Sequence, residues 1–155
     1  MTDLLTSIEG STLAVWTRES PSIWAYATIL TLHTAGLAVV VGVNAVVDLR
    51  LLGWAPRIPI PALRALFPIM WWGFAVNFAS GLLLFMADAT AKSGQAVFYV
   101  KLACITLALI VARTVSNRMR QQHDTSVTAT LRSLAVLSLV LWAGAIVAGR
   151  LMAYL

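Results

Sequence analysis

From Ile23 to Val47 no residue carries a formal charge, and His33 and Asn44 are the only strongly polar interruptions. At helical rise such a run crosses the ~30 Å hydrocarbon core of a bilayer. No other feature constrains the fold as much. The same pattern returns from Phe67 to Ala87, again from Val97 with Lys101 inside it, and a last time from Leu134 with Arg150 inside it. The mean hydropathy of +0.86 and the 11% charged fraction agree with this reading. An ordinary soluble domain carries about 25% charged residues. The chain therefore reads as all-α, a single integral membrane domain over residues 1–155, with four transmembrane helices at about 23–47, 67–87, 97–115 and 134–154. There is no room in 155 residues for a separate soluble domain.

Charge sets the expected orientation. The connection after the first span holds Arg50, Arg57 and Arg64, and the one after the third holds Arg113, Arg118, Arg120 and Arg132, together seven of the eleven basic residues. Arg18 and Lys92 fall on the opposite side with four acids, Asp3, Glu9, Glu19 and Asp88. The positive-inside bias places both basic connections in the cytoplasm and both termini outside, in the periplasm if the membrane is the inner membrane of a Gram-negative bacterium. The pI of about 10.2 is thus a topology signal and not a nucleic-acid footprint. Residues 1–20 are acidic and lack the basic start and cleavage site of a secretory signal, so no targeting peptide is expected to be removed. Leu4, Leu5, Ile8, Leu13 and Trp16 suit a short helix in the membrane interface.

The first connection contains Pro56, Pro59 and Pro61, a spacing that predicts an extended segment over the membrane surface. The second, from Ser116 to Thr130, reads as a solvated turn. Cys104 is the single cysteine, which excludes an intrachain disulfide. No HExxH, Walker loop, GxSxG or CxxC is present, so nothing points to protease, nucleotide or thiol chemistry, and no catalytic activity of the chain's own is expected.

Ionisable groups at membrane depth are costly, and each is a functional candidate by default. His33, Lys101 and Arg150 all fall in the half of the bilayer nearer the termini. Asn44 and Asp48 share the His33 face of the first helix by helical phase, within about 60°. In the second helix Gly73, Asn77 and Gly81 recur every four residues, and Asp88 returns to the phase of Asn77 as a countercharge for Lys101 or Arg150. Gly144, Ala148 and Gly149 allow close approach near Arg150. The expectation is an outer-half polar pocket of His33, Asn77, Asp88, Lys101 and Arg150.

Plainer readings stand beside it. Lys101 and Arg150 lie within about two turns of a helix end, where long side chains snorkel to headgroups. A lone intramembrane histidine is commonly a neutral, hydrogen-bonded packing residue. As a ligand, His33 offers imidazole to haem iron or copper, with Met86 and Met152 as soft partners. His123 falls in the second connection, across the membrane from His33, so a bis-histidine haem within one subunit is not expected.

The segments "LHTAGLAVVVG", "DLRLLG" (48–53), "WGFAVNFASGLLLFMADA" (72–89) and "FYVKLACITLALIVARTVSNR" (98–118) together resemble a bacterial family of small four-helix membrane proteins. That family is similar to one half of the CopD-type copper-resistance membrane proteins. The recurring positions correspond to His33, Gly81 and Lys101. The resemblance implies copper passage or delivery, or a layout like that of four-helix b-type cytochromes. Three functions remain open: a haem-, copper- or electron-handling membrane subunit, an accessory subunit packed on another membrane protein or on a second copy, and a carrier of a small anionic or quinone-like molecule.

Overall fold

Every regular element among the described residues, 2–121 and 127–154 of the computed structural model, is helical. Two short helices, α1 (Thr2–Glu9) and α2 (Thr12–Glu19), precede the long α3 (Ile23–Leu51). A turn leads to α4 (Ile60–Arg64) and α5 (Leu66–Met86), the short α6 (Ala89–Gly94) follows, and α7 (Ala96–Gln121) and α8 (Ala129–Leu151) complete the chain. Four helices are long and apolar enough to cross a membrane: α3, α4 with α5, α7, and α8. Only 22%, 22%, 17% and 28% of their most apolar windows are buried inside the protein. Most of the apolar surface faces outward, where water would oppose it and hydrocarbon accepts it. The chain is a multi-pass membrane helical bundle.

The tryptophans mark its ends. Trp16 and Trp24 are exposed near the end that carries α1, α2 and α6, here the terminal end. Trp54, Trp71 and Trp72 are exposed toward the opposite end, the loop end. Amphipathic rings in two such girdles suit the two membrane–water interfaces. Trp142 is the exception, buried mid-span on α8.

The spans pair as two antiparallel hairpins, α3 with α5 and α7 with α8, joined chiefly where α3 meets α8. The apolar core lies toward the loop half, around Val47, Leu51, Phe67, Met70, Val115 and Met119. The half containing His33 is built from smaller contacts.

The helices depart from their expected bounds in instructive ways. α3 continues through Asp48 and Arg50, four residues past the uncharged run, because its end is closed by hydrogen bonds and not by loss of hydropathy. Gly53 N–H donates to the Arg50 carbonyl at 3.1 Å and Trp54 N–H to the Leu49 carbonyl at 3.0 Å. This is a Schellman arrangement, with Gly53 at φ 107° supplying the left-handed residue. The Arg50 guanidinium then holds the turn through the carbonyls of Ile58 (2.7 Å) and Pro56 (3.1 Å). The proline-rich connection is not extended throughout, as its spacing predicted. Pro59 caps α4 and Pro61 sits in its first turn, where a missing N–H costs nothing. α7 runs to Gln121, so the expected turn from Ser116 begins as helix. His123 lies outside the described residues.

At the terminal end the predicted single interfacial helix is two, broken at Gly10, with Ser11 capping α2. Both are fastened to the neighbouring helix ends by charge. Glu9 accepts from the Thr90 N–H at 2.7 Å, at the start of α6, and Arg18 donates to the Ala87 carbonyl at 3.3 Å, at the end of α5. An acid at a helix start and a base at a helix end satisfy otherwise open backbone groups and complement the helix dipoles. The Thr90 N–H holds the Glu9 carboxyl below its ordinary range. Arg18 is raised by its bond to Glu19.

Candidate functional site

The terminal half of α3 is held against α5 by a close backbone approach. A Cβ on Gly36 would stand 2.7 Å from the Asn77 nitrogen and 2.8 Å from the Gly73 oxygen, so no larger residue fits without parting the helices. Val39 fills the matching position over Gly73. This seam, one turn along α3 from His33, brings Asn77 into contact with the His33 ring.

Two bonds follow from that placement. The Asn77 carboxamide donates to the His33 backbone carbonyl at 2.7 Å. His33 Nδ1 lies 2.9 Å from the Asn77 backbone carbonyl, which can only accept, so Nδ1 carries the proton and donates. The Ser80 hydroxyl lies 3.3 Å from the same Nδ1, but it donates its own hydrogen to the Val76 carbonyl at 2.6 Å. Its remaining lone pairs make the Ser80 oxygen a second, longer acceptor for the Nδ1–H beside the Asn77 carbonyl. Gly81 completes the seat: a Cβ there would stand 2.9 Å from His33 Cε1.

The tautomer that results leaves the lone pair on Nε2. Among the described residues no hydrogen bond engages that nitrogen. An imidazole whose Nδ1–H is anchored on a backbone carbonyl, with Nε2 free, is the arrangement that orients metal-ligating histidines. His33 is half-buried.

Lys101 approaches from α7 and is close enough for its charge to act on His33. Its stem lies along α8, with Cε 3.5 Å from a Cβ position on Gly149. Among the described residues no carboxylate pairs with it. Arg150 is exposed in the last turn of α8. Asp88 does not serve either cation as the expected countercharge. Its carboxylate lies 3.7 Å from Lys92, one turn along, because α5 ends at Met86 and Asp88 stands in the break before α6. Met86 closes α5 and Met152 caps α8, both half-buried. Neither shares a hydrogen bond with His33, and five residues of α5, about 8 Å of rise, separate Met86 from Gly81. Among the described residues no group of three His, Cys, Asp or Glu gathers as a metal cage.

The expected grouping of Asn44 and Asp48 with His33 divides in two. Asp48 lies fifteen residues along α3 from His33, about 22 Å of rise, and the phase drift turns it from α5 toward α8. There it meets Ser138, whose hydroxyl acts on its carboxylate. Asn44 donates to the Val40 carbonyl on its own helix at 2.8 Å. Ser80, Ser138 and Trp142 are the residues the sequence reading passed over. Their signal was spacing: Ser80 follows Asn77 by three, and Trp142 follows Ser138 by four, each pair on one face. No family model, curated protein or solved structure matches the chain.

Proposed function

We propose that this protein is a cofactor-bearing membrane subunit in the inner membrane of a bacterium, in which His33 Nε2 would hold the iron of a b-type haem. The reading rests on the Nδ1–H bond of His33 to the Asn77 carbonyl, which fixes the ring and leaves Nε2 basic. Haem is favoured over a bare copper ion by the donor set and by charge. Copper asks for two or three soft or imidazole ligands around one point. Among the described residues one imidazole stands alone, Met86 and Met152 lie at helix ends, and Lys101, with no carboxylate partner among those residues, opposes a cation while favouring the carboxylates of an anionic porphyrin. A haem held there would supply one-electron transfer.

The likeness to one half of the CopD-type proteins supports a redox or metal-handling role in the same sense. For an accessory subunit the glycines give less support, since Gly36, Gly73, Gly81, Gly144 and Gly149 all face contacts within this chain. Lys101, without a carboxylate partner among the described residues, equally favours a small anionic guest, which is the carrier reading.

The test is a visible spectrum of the protein purified in mild detergent, oxidised and reduced, with iron and copper analysis. A Soret band lost in His33→Ala is expected. A colourless preparation free of both metals overturns the proposal.

A further inference from the structure

All seven basic residues of the two loop-end connections are arginine, whereas both lysines of the chain, Lys92 and Lys101, stand in its terminal half. Topology asks only for positive charge and accepts either residue. A guanidinium differs from an ammonium in its planar fork, which binds two phosphate oxygens at once. Arg50 is spent on its own turn. Arg57, Arg113, Arg118, Arg120 and Arg132 are exposed, and among the described residues no carboxylate pairs with any of them.

One of these arginines borders a concave site. Between the end of α7 and the start of α8 lies a cavity of about 230 Å³, lined by Arg118, Gln121, Thr128 and Thr130. All four side chains carry hydrogen-bond donors, and none is acidic. The Thr128 hydroxyl accepts from the Leu131 N–H at 3.4 Å, which leaves its own hydrogen to give. Among the described residues no hydrogen bond engages the Arg118 guanidinium, the Gln121 carboxamide or the Thr130 hydroxyl. The lining therefore suits an anion. The cavity is smaller than the roughly 300–1,000 Å³ of pockets that enclose a whole small molecule. It has room for a charged head whose remainder lies outside.

What lies outside is apolar. Leu107 precedes Arg118 by eleven residues and Leu137 follows Thr130 by seven, each within about 20° of the same helical phase. The two leucines are 50% and 46% exposed, and they continue the cavity walls toward the bilayer centre by about 16 and 10 Å of rise. Exposed Trp54, Trp71 and Trp72 set this end of the bundle at the membrane–water interface. A cationic seat above apolar walls fits an amphiphile. A zwitterionic head brings a cation that the neighbouring arginines oppose, and a soluble anion leaves the apolar walls uncovered. We infer that the cleft between α7 and α8 binds the phosphate of an anionic phospholipid, with Arg118 as its charged contact and the acyl chains along the two helices. Basic clefts between transmembrane helices at headgroup depth hold such lipids. The site stands at the opposite end of the bundle from His33 and does not depend on the reading of that centre.

Thermal unfolding of the full chain in mild detergent, titrated separately with phosphatidylglycerol, phosphatidylcholine and inorganic phosphate, provides the test. Phosphatidylglycerol is expected to raise the midpoint by several degrees and to saturate, because a ligand held only by the folded state stabilises it. Phosphatidylcholine and inorganic phosphate are expected to leave it in place. The rise should vanish in Arg118→Gln and persist in Arg57→Gln, which removes the same charge elsewhere on the loop end. A wild-type chain that responds equally to the two lipids overturns the inference without need of any variant. An equal rise with inorganic phosphate assigns the cleft to a free anion and overturns it too. So does a phosphatidylglycerol response that survives in Arg118→Gln, or one lost equally in Arg57→Gln, which would make it an effect of overall charge.

Discussion

Asn77 and His33 are joined in both directions: the Asn77 carboxamide donates to the His33 carbonyl at 2.7 Å, and the His33 imidazole donates to the Asn77 carbonyl at 2.9 Å. One bond depends on the Asn77 side chain and the other on its backbone, so they are separable. Asn77→Leu removes the first and keeps the second. Interhelical hydrogen bonds in membranes are worth about 0.6–2 kcal/mol. A loss of that order is expected in unfolding equilibria in mixed micelles. Ser80→Ala is expected to cost less, because the Ser80 hydroxyl is spent on a carbonyl of its own helix. Equal losses for the two variants would contradict the assignment of roles.

The α3–α5 seam makes a sharper comparison between two glycines of one helix. A methyl on Gly36 would meet backbone atoms of α5 at 2.7 and 2.8 Å, whereas one on Gly42 would meet nothing within 4 Å. Gly36→Ala is expected to destabilise the bundle and to shift any spectrum arising at His33, because the helices must part. Gly42→Ala is expected to leave the site unchanged and to stabilise α3 by up to about 1 kcal/mol through helix propensity. Thermal unfolding of both variants, side by side, checks the sign of each.

At the terminal end the bond from Thr90 N–H to Glu9 predicts a pH dependence. The folded carboxyl sits below its ordinary value of 4.5, so its contribution to docking α1 on α6 is complete above that value. It is lost as the pH falls through the lowered folded value. A titration followed at the Thr90 amide should therefore show a midpoint below 4.5 and no transition in Glu9→Gln. A midpoint at or above 4.5 would show that the bond does not form in solution.

Hydropathy made the four spans legible because lipid-facing helices need no amphipathic pattern, only length and the absence of charge. The helix ends were less legible, since Asp48 and Arg50 interrupt the apolar run while the backbone bonds at Gly53 carry α3 past them. The site was half legible. His33 and Asn77 were marked by polarity at depth, and the glycine spacing showed which helix could approach. Depth and face, however, assign a residue to a helix side and not to a neighbour. The same face of α3 meets α5 at His33 and α8 at Asp48, a divergence that only the packing of the bundle decides. Asp88 illustrates the same limit, since its pairing with Lys92 depends on the break between α5 and α6.

Lys101 separates the haem and copper readings of the His33 centre. It is half-buried, rests on the space left by Gly149, and has no carboxylate partner among the described residues. A cation held near His33 attracts an anionic porphyrin and repels a metal ion, and both effects are magnified where water is scarce. Lys101→Met preserves the length and apolar contacts of the stem while removing the charge. It is expected to weaken retention of haem several-fold during purification, read as the ratio of Soret to protein absorbance, with thermal unfolding of the apoprotein little changed. Tighter binding of copper(I) in the variant, with no haem in either protein, would instead assign the centre to copper. Gly149→Leu, which displaces the same side chain without removing its charge, should lower haem retention in parallel with Lys101→Met if the position of that charge is what matters.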